Sequence, residues 1–382
     1  MAKGMRSVLE IPKTESPAEI KLKPEMYRVA AEDFGLTFSE YLEQMNPSNP
    51  NDKLDAFERQ LARYNIRVKS DPRKGYYAGN LAEFFVTDSD SRILFPEFLN
   101  RMARWALLTA DDDPYDINLI TGGNEEGLNE NTFKELFIDD KEADYQMSHV
   151  GELGGFPEIK VSYSEKAEGM KKYGVAIKWS YEFLRRARID MIRPVIAKVA
   201  LMQRRAIFKE GIDKLINGGG TTMTPAASSA AINTFDTDIS AAGTLTYYGW
   251  LKWLNSRRPH SIDTVFCNFD TAYKIITMTR ASVDTLALRE SLNPAIANSP
   301  ALVRGLKADP KIVIIDDADI SANVILGIDS RFAAKRYFEI GADMTETERI
   351  INQQFERVVI SHVDGFSKIY PAATHVVTLT TS

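Results

Sequence analysis

The stretch from Asp139 to Gly220 constrains this chain most, because it joins an extended segment to a very long helix. From Pro194 a helical period holds to Ile216, with Val195, Val199, Met202 and Ala206 at i, i+4, i+7 and i+11. Ile192, Ile196 and Ile207 widen that apolar stripe. Pro194 is tolerated because a first-turn N–H has no helical partner to lose. The helix stops at Asn217-Gly218-Gly219-Gly220, where glycine can take the left-handed C-cap conformation. Ahead of it, Ser180-Tyr181-Glu182-Phe183-Leu184 has the hydroxyl cap and early acid of a helix start. Pro194 to Ile216 would span roughly 35 Å, long for one globular unit and suited to a strut.

The segment before this helix reads as extended. Asp139 to Gly155 is polar and glycine-punctuated, and Phe156-Pro157-Glu158-Ile159-Lys160-Val161-Ser162-Tyr163-Ser164 roughly alternates apolar with polar. After the charged patch Glu165 to Lys172 a second such run follows, Val175-Ala176-Ile177-Lys178-Trp179. Two arms around a charged tip predict a long hairpin. Two strands bury too little surface to be stable alone. The hairpin therefore needs a neighbour to lie on, which implies an assembling protein.

In element order, and above all from Trp179 to Gly220, the chain resembles the major capsid proteins of tailed bacteriophages, the Hong Kong 97-like shell family. The resemblance covers about two thirds of the chain and rests on no short invariant motif. It implies an α+β fold with an N-terminal arm or helical region (1–137) and an extended β-hairpin loop (138–178). A peripheral domain with a spine helix (179–232 and 349–382) and a central, axial α/β domain (233–348) would complete it. The implied function is a structural subunit that self-assembles, as hexamers and pentamers, into an icosahedral shell around a double-stranded DNA genome. The implied partners are copies of itself, with scaffolding, portal and decoration proteins. DNA would be enclosed without sequence-specific binding, and no membrane is involved. The implied location is the virion, after assembly in the host bacterial cytoplasm.

Composition agrees with that class. At 382 residues the chain is too long for one ordinary core and fits two or three units. A net charge of −6 argues against a protein that lives by wrapping nucleic acid, which would be strongly basic. Cys267 is the sole cysteine, so no intrachain disulfide can form, and Thr264-Val265-Phe266-Cys267 reads as a buried strand. Met1-Ala2-Lys3-Gly4-Met5-Arg6 has no apolar run behind it, so no signal peptide is expected, and no stretch is apolar enough to span a membrane.

Residues 1 to 25 read as an extended arm. Helical periods follow at Phe38 to Glu43, at Leu54, Phe57, Leu61 and Tyr64, and from Phe95 to Leu108 with Phe98, Met102 and Trp105. These helices either dock on a neighbouring subunit or form a small domain on their own chain. From Asn233 the pattern turns mixed α/β. Tyr247, Trp250, Leu251 and Leu254 form a helical face, Thr271 to Thr279 a helix, and Val265-Phe266-Cys267, Ile312 to Ile315 and Val324 to Leu326 strands. Val358 to Ser361 and Val376 to Thr380 are β-branched and read as paired strands, and the resemblance implies that they return to the long helix.

No catalytic, cofactor-binding or metal-ligating set can be assembled, and the reading is not an enzyme. There is no phosphate loop, and the glycine run at Gly218 follows a helix instead of preceding one. Gly365-Phe366-Ser367 starts like a nucleophile elbow but lacks the second glycine, and reads as a turn into a strand. His149, His260, His362 and His375 have no metal-ligand spacing. Asp111-Asp112-Asp113 and the acids at 316, 317 and 319 read as turns. Arg185, Arg186, Arg188, Arg193, Lys198, Arg204, Arg205 and Lys209 crowd the helical segment. They could face DNA, but no interleaved aromatics accompany them, so contacts with acids of adjoining subunits or loops are preferred. The rivals are an encapsulin-like compartment shell, which would not need the long N-terminal region, and an α/β enzyme with its site in residues 233–348.

Overall fold

The computed structural model describes residues 11–49, 52–86, 90–108, 114–134, 136–137, 162–163, 168–219, 225–258, 260–278, 310–316, 318–340, 344–350 and 355–380. Among the described residues four helices of eight or more residues come first: α1 (Glu25–Phe34), α2 (Phe38–Met45), α3 (Ala56–Arg63) and α4 (Leu94–Leu108). Thr37 and Asp55 open α2 and α3 with reciprocal capping boxes to Glu40 and Glu58, which satisfy amide donors that the first turn leaves over. Phe57, Leu61 and Phe98 are buried in one core with Trp179, Leu184, Ile192 and Ile196. The helices thus pack on their own chain. Trp105 is the exception, 60% exposed.

Strand β1 (Glu125–Leu128) precedes the hairpin, which returns into β2 (Lys171–Ser180), α5 (Tyr181–Arg186) and the long helix α6 (Arg193–Asn217). The central region holds β3 (Ser228–Ala231), α7 (Tyr247–Leu254), β4 (Thr264–Cys267), α8 (Phe269–Thr277), β5 (Lys311–Ile314) and β6 (Val324–Ile328). Strands β7 (Ala334–Glu339), β8 (Met344–Ile350), β9 (Phe355–Lys368) and β10 (Thr374–Thr378) close the chain. The protein is an α+β molecule with two five-stranded sheets.

In the first sheet β9 is the axis. Its length lets β8 pair with its first half and β7 with its second, both antiparallel, while β2 lies along the other side from Ser180 to Lys171. This corrects the expected hairpin. Lys171 and Lys172, expected in the tip, open β2, and the run Val175 to Trp179 pairs with β9, while residues 164–167 lie outside the described residues. The hairpin is built from Thr132–Phe133 against Glu168–Gly169 and Leu136–Phe137 against Ser162–Tyr163. Residues 138–161 lie outside the described residues. The physical reason is register: β9 sets Val358 and Ile360 opposite Ile177 and Val175, so two apolar faces coincide.

The second sheet has the order β3-β10-β6-β4-β5. Strand β10, expected to pair with the other closing strand, joins this central sheet between β3 and β6, where Val376 still packs against α6. A β-branched run specifies a strand but not its mate. Phe266, Leu326 and Val376 face Phe208, Ile212 and Leu215 of α6, while Val265, Ile325 and Val377 face Trp250 and Trp253 of α7 and Ile275 of α8. Both faces are covered, which is why these strands read as continuous apolar runs. Gly365 lies inside β9, not in a turn; a Cβ there would stand 2.7 Å from the ring of Phe133.

Candidate functional site

Helix α6 begins with Pro194 in its first turn and ends at Gly218, whose φ of 75° with ψ of 178° is a conformation that favours glycine. Two apolar faces run along it. Ile196, Ala200, Ile207, Phe208, Ile212 and Leu215 are buried. The stripe read from the sequence divides between them: Ile192, Ile196 and Ile207 are buried as expected, but its central line is not, since Val195 is 46% and Met202 53% exposed, and Val199 and Ala206 are half-buried. Periodicity fixes which residues share a face, but not which face is covered.

That second stripe forms one wall of a groove of about 570 Å³. The opposite wall is Tyr173 and Val175 of β2 with Ile360 and His362 of β9. Register places Val175 across from Ile360 and Tyr173 across from His362, so the four share one face of the sheet. Farther along the same face Ile177, Trp179 and Val358 pack against the N-terminal helices. Among the described residues that cover stops at the groove. Lys198, Gln203 and His362 are its polar or charged lining residues.

A polar ladder holds the inner end in shape. The Gln203 amide nitrogen lies 2.8 Å from His362 Nδ1, and His362 Nε2 lies 3.3 Å from Asp364. Asp364 accepts from Arg336 at 2.7 Å, and Arg336 reaches Glu125 at 3.2 Å. Burial raises the Asp364 pKa, against the pull of Arg336. The Tyr173 ring stacks on His362 at 5.4 Å. Burial, reinforced by Glu210, raises the Tyr173 pKa, so its phenol keeps its proton. These groups clamp α6 to β1, β2, β7 and β9 and leave an apolar trough above them. Beside it, β2 is an edge strand: among the described residues its outer side has no strand partner.

The other residues that the sequence drew attention to lie apart. His260 packs against Phe332 and Tyr370. His375 is buried near Trp253 and Phe235, and burial, then nearby Arg257, lowers its pKa to about 4. Cys267 is buried, which pushes its thiol up to about 12. Asp319 is taken up by Arg205 and Lys209, both at 3.1 Å, and Arg204 pairs with Asp116 at 3.0 Å. Those three cations thus meet acids of their own chain, whereas Arg185, Arg186, Arg188 and Lys198 are exposed. His149, Asp111, Asp112, Asp113 and Asp317 lie outside the described residues. Among the described residues no group of three His, Cys, Asp or Glu could hold a metal ion, and no helix is long and apolar enough to cross a membrane. Sequence reasoning missed the part played by Tyr173, Ile360 and His362, whose alternation is visible but whose register is not.

No protein-family model and no curated protein matches the sequence. Among solved structures the chain is similar to the capsid of a native GTA particle, at 15% identity and a TM-score of 0.48, over 70% of this chain and 91% of that one. It is also similar to a phage-related protein from Bordetella bronchiseptica, at 10% identity and a TM-score of 0.42, over 74% and 95% of the two chains. A third similarity is to the satellite phage P4 procapsid that includes a size determination protein, at 10% identity and a TM-score of 0.40, over 76% and 98%.

Proposed function

We propose that this chain is the structural subunit of a self-assembled shell, the major capsid protein of a tailed phage, and that it works without catalytic chemistry. The observation that carries the reading is the open apolar groove between α6 and the β2–β9 face. A monomer rarely leaves a contiguous apolar surface beside an open sheet edge, and such a feature marks a binding surface. The occupant is a second copy of the chain, because a closed shell covers the same surface on every subunit by symmetry. In this reading the helical region (1–137), the hairpin loop (138–178), the spine-helix unit and the central α/β unit are the parts of a shell subunit, with β10 counted in the central sheet. Size-exclusion chromatography with negative-stain imaging tests it. Closed particles are expected, and particle formation should be lost with Val195→Asp combined with Met202→Asp while the subunit stays folded. A small oligomer of fixed size, unchanged by those substitutions, would sink the reading.

A further inference from the structure

Two parts of the chain far apart in sequence meet at one corner and make it strongly basic. The loop from Arg67 to Asn80 folds back on itself: Gly79 N–H donates to the Arg67 carbonyl at 2.8 Å, and Asp71 and Tyr76 exchange main-chain bonds at 2.8 and 3.1 Å. Gly75, at φ 71°, makes the tight reversal. The loop is fastened to the segment behind α5. Ile189 N–H donates to the Gly79 carbonyl at 3.0 Å, Leu81 N–H to the Ala187 carbonyl at 3.1 Å, and the Ser70 hydroxyl to Asp190 at 2.7 Å. The loop contributes exposed Arg67, Lys69, Arg73 and Lys74, and the end of α5 contributes exposed Arg185, Arg186 and Arg188. Among the described residues the acids at the corner are four: Asp190 accepts from Ser70, Asp71 stands 3.7 Å from Lys74, Glu83 accepts from the Asn80 N–H at 3.2 Å, and Glu182 is exposed on α5. The corner is positive on a chain whose net charge is −6, and distant acids are screened within about 8–10 Å at ordinary salt.

The same fold supplies the aromatics that the linear sequence does not place beside these arginines. Tyr76 and Tyr77 are 56% and 57% exposed, and the Arg188 guanidinium lies 5.3 Å from the Tyr77 ring centroid. We propose that this corner binds the phosphate backbone of nucleic acid without sequence preference, with Tyr76 and Tyr77 as stacking faces for unpaired bases. Arginine suits phosphate because its planar fork can give two parallel hydrogen bonds. An acidic protein segment would use the cations but gain nothing from two adjacent ring faces. The proposal does not rest on the shell reading.

The test uses the full chain, with fluorescence anisotropy of labelled oligothymidine and of a labelled duplex of matched length across a salt series. Binding of both should weaken as salt rises. Arg185→Ala, Arg186→Ala and Arg188→Ala together should flatten the log–log salt slope, by about 0.9 per lost contact on the duplex and about 0.7 on the single strand. Tyr76→Ala with Tyr77→Ala should weaken oligothymidine about tenfold and leave the duplex nearly unchanged. Lys252→Ala with Lys311→Ala, exposed cations of the central region, should change neither slope. All the substituted side chains are exposed, so unchanged circular dichroism is expected and is the check on folding. Salt-independent binding, a wild-type slope in the triple arginine variant, equal loss in the lysine control, or a poly-glutamate peptide competing as well as DNA would overturn the proposal. So would tyrosine variants that bind single strand as tightly as the parent.

Discussion

At the scale of residues, α6 shows why burial cannot be assigned from a stripe alone. Ile212 is fully buried between α6 and the central sheet, whereas Val199, on the same helix, lines the groove. Ile212→Ala should therefore cost the subunit about 2–5 kcal/mol, as cavity-forming changes do. Val199→Asp should cost an isolated subunit about 1 kcal/mol or less and yet prevent particle formation, since an occupied groove would bury a carboxylate without a partner. Urea melts of subunits beside particle yields check both, and equal destabilisation by the two changes would remove the distinction. His375 gives a pH prediction. Its pKa is about 4 when folded and about 6.5 when unfolded, so between these values the unfolded state binds more protons and stability falls as pH falls. The loss is complete near pH 4 and amounts to about 3 kcal/mol at most. His375→Phe should flatten this part of the urea-stability curve relative to the parent; parallel curves would mean His375 is not held neutral by burial.

At the scale of elements, the hairpin and its neighbours were only partly legible. Alternation marked the strands, but their partners depended on a long closing strand more than 170 residues away. The consequence is practical. A deletion from Gly155 to Tyr173 would remove Lys171 to Tyr173 from β2 and the Glu168–Lys214 ion pair of 2.5 Å, and should unfold the first sheet. Replacing residues 138–161 alone with a short Gly-Ser linker should keep circular dichroism and melting close to the parent, because both sheets lie outside it. Shell formation should be lost. Normal particles from this variant would show that residues 138–161 do not tie copies together.

At the scale of the whole molecule, the N-terminal helices belong to the core they share with Trp179, Leu184 and Ile196. Removing residues 1–108 should therefore leave that core uncovered, and the truncated chain should aggregate instead of retaining a stable central domain with a trimmed arm. Light scattering of the refolded fragment checks this, and a soluble, cooperatively melting fragment would contradict it. Trp105, exposed at the end of α4, should behave differently. Trp105→Ala should lower the dissociation temperature of assembled particles more than the melting temperature of isolated subunits. Equal shifts would place Trp105 within a single chain's core.

By itself the sequence determined the elements whose signals are local. Pro194 and the glycines after Asn217 bounded α6, Ser180 capped α5, and β-branched runs marked the central strands. Each depends on residues within a turn or a strand of one another, where backbone geometry dictates neighbours. Only the tertiary structure decided which apolar face of α6 is covered, which strand β2 and β10 join, and that Tyr77 stands against Arg188. Those outcomes are set by register and packing between distant segments, and neither periodicity nor composition encodes the partner across such a contact.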